Sequence, residues 1–292
     1  LGSASLSQAV HNKKQTIARR AFLKKKPTAP VASISEVVSF KFQKNRLRAF
    51  QTWYMNSSRG AREARFDPGV LGSVAAAEGV PDGRKALTIL YYWRLDNRKS
   101  WSAVGALLQK PNPEWNSVQH VLRGLGQGSS AAVEHRFFTL PGLPGTSAAE
   151  QSTVLMKRWH NCFHRLDNCV KGLGSSRLFL LEDILREIFR LYGIGPYTAV
   201  CVSNTLLIGR YVSDSIDTTS FPVGPGSGSA ALYLAGHAKC LKTSNALWPW
   251  SKDPQHIRQI VIAIAAHMNI NFVDAQHALC SWIQAEWWRR RG

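Results

Sequence analysis

The chain has 292 residues, 45% of them hydrophobic, with a formal net charge of +19 and a pI near 10.2. That supplies a sizeable core and favours a polyanionic partner, nucleic acid before membrane. No apolar run reaches transmembrane length, and five cysteines without regular spacing exclude a disulfide framework and suit a reducing compartment.

Residues 1–48 carry eleven Lys and Arg against one acid, Glu36, leaving about +9 for the rest of the chain. Lys13, Lys14, Arg19, Arg20, Lys24, Lys25 and Lys26 lie in its first part, and "KPTAPVAS" holds two prolines that oppose a helix. Residues 1–38 therefore read as an extended basic N-terminal arm. A solvated tail is the plainer reading of such an arm. The run "HNKKQTIARRAFLKKK" is also basic, hydroxyl-containing and acid-free, as organellar presequences are. A start at Leu1 suits a trimmed mitochondrial protein, so the expected location is the mitochondrial matrix.

From residue 39 to 292 the patterning predicts one helical domain. "FKFQKNRLRAFQTWYMNSSRG" is helical from Phe40 and stops at Ser-Ser-Arg-Gly. "ALTILYYWRL" is strongly apolar but runs on into "DNRKSWSAVGALLQ", which favours helix over strand. "GLGQGSS" and "TLPGLPGTSAAE" are loops, and a long helical pattern begins at Ser147 and continues through Val170. In "SSRLFLLEDILREIFRLYG", Leu181, Ile184, Leu185 and Ile188 share one face and Gly193 is the stop. The next helix runs from Tyr197 to Ile208. "FPVGPGSGSAALYLAG" reads as a Gly-rich loop leading into a helix, and two helices close the chain near 254–268 and 272–290. Asn271 and Asp274 form a capping box for the last one. With no alternating strand in view, the predicted fold class is all-α.

The segment "LYGIGPYTAV" joins two of these helices by Gly-Ile-Gly-Pro, which predicts a helix-hairpin-helix over about 178–209. Gly193 and Gly195 allow positive φ and close backbone approach. The second helix then offers free N–H groups and its positive dipole end at Tyr197 and Thr198, a phosphate clamp that reads no sequence. A packed helical hairpin is the plainer reading of Gly-x-Gly alone.

Asp217 follows Gly195 by twenty-two residues, in Ile216-Asp217-Thr218-Thr219. This resembles the helix-hairpin-helix DNA glycosylases, in which a catalytic aspartate follows the hairpin at about that distance. The position of the nucleophilic lysine of bifunctional members is Tyr197, and no four-cysteine iron–sulfur cluster follows. A closer resemblance is to the α-glutamyl/putrescinyl thymine pyrophosphorylase family, which modifies DNA bases. It rests on "WRLDNRKSW" with Arg94, Asp96 and Arg98, on the hairpin, on Asp217 followed by Gly224-Pro225-Gly226, and on "AQHALCSWIQAEWW" with His277, Leu279 and Cys280. These features keep their order over about 40–290. The chain departs from the pattern at Gln276 and Ser281, where the family has acids, and at Gln284, where it has a lysine. Gln cannot cycle a proton at neutral pH, so the resemblance implies a kept scaffold with part of the chemistry lost.

"HNCFHRLDNC", with His160, Cys162, His164 and Cys169, has no familiar zinc spacing, and no metal or cofactor is expected. Likewise, "GPGSGS" lacks the Lys-Ser/Thr ending of a phosphate loop and reads as a tight turn close to a ligand. The basic C-terminal end, 286–292, sets Trp287 and Trp288 beside Arg289, Arg290 and Arg291, which suits stacking on bases and gripping phosphates.

Two function classes follow. The favoured one is a non-catalytic, rRNA-binding component of a mitochondrial ribosome, with RNA and neighbouring ribosomal proteins as partners, built on a recruited DNA-modifying fold. The alternative is an active DNA base-modifying enzyme, glycosylase-like or thymine-modifying, with Asp217 as its catalytic residue.

Overall fold

A computed structural model of the chain describes residues 41–95, 98–128, 144, 147–162, 188, 191–211, 223–237 and 254–289. Among these every regular element is a helix and none is a strand, as the periodicity predicts. The chain divides into two compact units, with boundaries at Asp67/Pro68 and Ile216/Asp217. Residues on both flanks of the middle stretch belong to one unit, and Pro68–Ile216 form the other.

The middle unit contains α3 (Pro68–Ala77), α4 (Asp82–Leu95), α5 (Arg98–Leu108), α6 (Trp115–Gly128), α7 (Ala148–Asn161) and α8 (Pro196–Ile208). Its centre is α4. Ala86, Leu87, Ile89, Leu90, Tyr91, Tyr92, Trp93 and Leu95 are all buried, so the helix is apolar on every side and is packed by α3, α5, α7 and α8. Each such aliphatic side chain stabilises the fold by about 1.5–3 kcal/mol. The β-branched and aromatic residues that make "ALTILYYWRL" look strand-like are this all-round core surface.

Small residues set how closely α3 approaches α4. A Cβ on Gly72 would collide with Tyr92 Oη. The contact is stitched by a polar cluster: Trp93 Nε1 donates to Thr205 Oγ1 at 2.8 Å, and Ser73 Oγ lies 2.5 Å from the same oxygen. α7 starts on a full capping box, with Ser147 Oγ accepting from Glu150 N–H and the Glu150 carboxylate accepting from Ser147 N–H. α7 stops at Asn161 with Cys162 as its C-cap, shorter than the pattern through Val170 predicts. Residues 163–170 lie outside the described residues.

The flanking unit contains α1 (Lys44–Asn56), α2 (Arg59–Arg62), a 3-10 turn (Ala64–Phe66), α9 (Pro225–Leu234), α10 (Pro254–Met268) and α11 (Phe272–Arg289). Ser-Ser-Arg-Gly ends α1 as expected, but Ser58 also serves as the N-cap of α2, so the same four residues stop one helix and start another. α11 is the hub and packs on α9, α10, α1 and α2. Its N-terminus is fixed as the Asn271–Asp274 spacing predicts: Asn271 Oδ1 accepts from Asp274 N–H at 2.8 Å, and Asp274 Oδ1 also accepts from Ala64 N–H at 2.9 Å.

One expectation is corrected here. "GPGSGS" is not a loop: Gly224 is the N-cap of α9, Pro225 is its first residue, and Gly226, Ser227 and Gly228 form its first turns. The glycines serve packing. A Cβ on Gly226 would stand 2.6 Å from Cys280 Sγ of α11, so only glycine lets the two helices meet at this point.

Candidate nucleic-acid interface

The turn before α8 belongs to the middle unit. Leu191 and Ile194 are buried and anchor it, and Leu191 N–H donates to Ile188 C=O at 3.0 Å. Trp159 Nε1 donates to Tyr192 C=O at 2.8 Å, which ties the turn to α7. Gly193 then takes φ +77°, a left-handed conformation that side chains resist. Gly195 does not: its φ of −107° and ψ of 175° are ordinary extended backbone. The expectation that both glycines serve positive φ therefore holds at Gly193 alone. What Gly195 contributes as N-cap is the absence of a side chain in front of α8.

Pro196 is the first residue of α8, where its missing N–H costs nothing. The first helical bond runs from Ala199 N–H to Gly195 C=O at 3.0 Å. Tyr197 and Thr198 precede it, at the end where a helix leaves N–H groups without intrahelical partners and carries positive dipole charge. Thr198 is half-buried and Tyr197 is 40% exposed.

Sequence reasoning missed a second tyrosine. Tyr192 is 42% exposed on the other side of Gly193-Ile194-Gly195, and the Arg158 guanidinium lies 5.4 Å from its ring centre. The helix start thus stands between two solvent-facing phenol rings with an arginine on one of them. The available signal was the Tyr-Gly-x-Gly-Pro-Tyr string, in which two large aromatics sit where a turn exposes them.

The remaining site residues fall in different places. Arg94 is in the last turn of α4, partly buried, and burial lowers its guanidinium pKa to about 10. Arg98 opens α5. Arg289, in the other unit, is exposed, but its Nη2 donates to Glu286 Oε2 at 2.9 Å, so part of its charge is already matched. Asp217, the seven basic residues of the arm, Arg290 and Arg291 lie outside the described residues.

The last-helix motif has a packing role in the flanking unit. His277 Nε2–H donates to Gly60 C=O at 2.8 Å, with Asp67 Oδ2 at 4.0 Å, and holds α2 against α11. Cys280 is half-buried with its Sγ facing Gly226, and desolvation there together with the nearby Asp67 carboxylate pushes its thiol up to about 11. Gln276 is buried at 2% exposure, and Gln284 Nε2 lies 3.7 Å from Cys280 Sγ. His160 of the Cys/His-rich stretch is used in packing, with Nδ1 3.3 Å from Tyr91 Oη and its ring against Trp115. His164 and Cys169 lie outside the described residues. Among the described residues no three His, Cys, Asp or Glu gather at metal-binding distance, and no helix is long and apolar enough to cross a membrane.

Comparison with protein-family models, curated proteins and solved structures finds no match to this chain.

Proposed function

We propose that the chain is a non-catalytic nucleic-acid-binding protein, an rRNA-binding component of a mitochondrial ribosome whose helix-hairpin-helix derives from a DNA-base-modifying fold. The observation that carries this reading is the start of α8: a Gly-capped helix N-terminus, delivered by a left-handed Gly193 and flanked by exposed Tyr192 and Tyr197. A phosphate placed there meets a helix N-terminus with no side chain at its cap and with positive dipole charge, worth about 0.3–1 kcal/mol at an exposed site. The tyrosine rings favour unpaired bases beside it.

Two further facts support a binding role over catalysis. The net charge of +19 supplies the sequence-independent attraction that nucleic-acid binding requires. And Gln276, at a position where the family resemblance implies an acid, is neutral and sealed in the core.

The test is to crosslink the protein in its own cells, recover it under denaturing conditions and sequence the nucleic acid that comes with it. Discrete rRNA segments, with the protein sedimenting alongside ribosomal particles, are the expected result. Scattered DNA, or DNA with modified thymines, would overturn it. Asp217→Asn then separates the classes, because it abolishes turnover in an enzyme and leaves a scaffold unchanged.

A further inference from the structure

An open groove of about 680 Å³ lies in the flanking unit, between α1 and the end of α11. Asn45, Arg48, Thr52, Trp53 and Asn56 line it from α1 at helical spacing, and Glu286 and Arg289 form the facing wall.

Its chemistry is uneven along its length. Arg48 is exposed, and among the described residues no carboxylate lies within ion-pair distance of it. Its neighbour Arg46 is committed elsewhere: Nη1 donates to Tyr233 C=O at 2.7 Å and the guanidinium sits 4.0 Å over the Tyr233 ring. Arg48 is therefore the groove's available cation. Trp53 is half-buried and stacks on Phe50 at 6.1 Å and 17°, a backing that holds the indole in place. Asn56 Nδ2 is used by Thr52 C=O at 2.9 Å, which leaves its Oδ1 to accept. On the far wall Arg289 Nε and Nη2 donate to Glu286 Oε1 and Oε2 at 3.3 and 2.9 Å, so these two charges match each other and that wall offers no second anion subsite.

One anion subsite, one backed aromatic face, amide groups and a self-paired Arg289–Glu286 wall do not fit a duplex backbone, which brings a phosphate every few ångströms. They fit one nucleotide of an unpaired strand. We infer that this groove binds a nucleotide of single-stranded nucleic acid, with the phosphate on Arg48 and the base on Trp53. The inference rests on the nucleic-acid reading above, but not on the turn before α8, which belongs to the other unit. It adds the substrate class: an unpaired strand, held through stacking and one phosphate contact.

The test is fluorescence anisotropy with the full chain and end-labelled rC12, dC12 and a 12-base-pair duplex at fixed salt. Arg48→Gln and Trp53→Ala are each expected to weaken rC12 binding about fivefold or more and to leave duplex binding within twofold; Trp53→Phe keeps most of the affinity. Should Trp53→Ala lower the melting temperature, Arg48→Gln decides alone, since an exposed side chain is removed. Lys44→Gln, the same charge change outside the groove lining, is the control. Tighter binding of rC12 than dC12 assigns the strand as RNA, and the reverse assigns it as DNA. Single-strand affinity unchanged in both variants would overturn the inference, as would equal weakening of strand and duplex. Gly195→Val tests the turn before α8 separately: rC12 and duplex binding both unchanged by it, with Arg48→Gln still weakening rC12, would sink the reading of that turn and leave the groove standing.

Discussion

At the scale of single residues, the two glycines of the turn do different work, and substitution separates them. Gly193→Ala forces a Cβ into φ +77° and is expected to cost about 1–2 kcal/mol of stability, read as a lower denaturant midpoint at unchanged slope. Gly195→Val keeps an ordinary backbone conformation and is expected to change stability by less than 1 kcal/mol. It weakens nucleic-acid binding because a branched side chain stands where a phosphate would approach. Equal effects of the two on both measurements would contradict this division. Cys280 offers a second residue-level check. Its thiol, raised from about 9 to about 11 by burial, is protonated at neutral pH, so near pH 8 its thiolate fraction is about 100-fold below that of an ordinary cysteine. Iodoacetamide labelling followed by peptide mapping should find Cys280 protected in the native chain and reactive in denaturant. The sign for stability follows. The unfolded chain ionises this thiol near pH 9 while the folded one does not, so the stabilisation is complete below pH 9 and is lost between about pH 9 and 11. Cys280→Ala should flatten that part of the pH profile.

At the scale of elements, the contact between α9 and α11 depends on Gly226 facing Cys280. Gly226→Ala should destabilise by about 1–3 kcal/mol through overpacking, and Cys280→Ala in the same chain should recover most of it, since removing the sulfur makes room for the added methyl. Additive losses in a double-mutant cycle would show that the clash is not the cause. The same contact explains what the sequence hid. Helix limits were legible where local chemistry sets them: α10 at 254–268, α11 from Phe272 behind Asn271, and α8 from Gly195-Pro196 to Gly209. They were not legible where tertiary contact overrides composition. Gly224-Pro225-Gly226 has loop composition but is helical, because the partner helix leaves no space for a side chain. Tyr192 carried no periodic signal at all; its exposure comes from a turn tied by Trp159, thirty-three residues away.

At the scale of the whole molecule, the division at Asp67/Pro68 and Ile216/Asp217 makes the two ends of the chain structural partners. α1 packs on α9 and α11, and the Phe50 ring lies 5.2 Å from that of Trp282. Deleting α11 from residue 272 onward should therefore unfold α1, at the opposite end of the sequence, and leave the middle unit folded. Hydrogen exchange would then show protection lost at 44–56 and kept at 86–95; the reverse pattern would refute the division. This arrangement is not legible in the residue pattern, because periodicity reports which face of a helix is buried and not which distant helix covers it.

That division also imposes an order on synthesis. Phe50 leaves the ribosome long before Trp282 is made, and at about 5–20 residues per second the interval is roughly 10–50 seconds. The middle unit is complete as soon as Ile216 is made, while the apolar face of α1 still waits for α11. A nascent chain of this protein presents an uncovered hydrophobic helix next to a highly basic segment until its last helix emerges. Its yield should depend on whatever holds that face in the meantime.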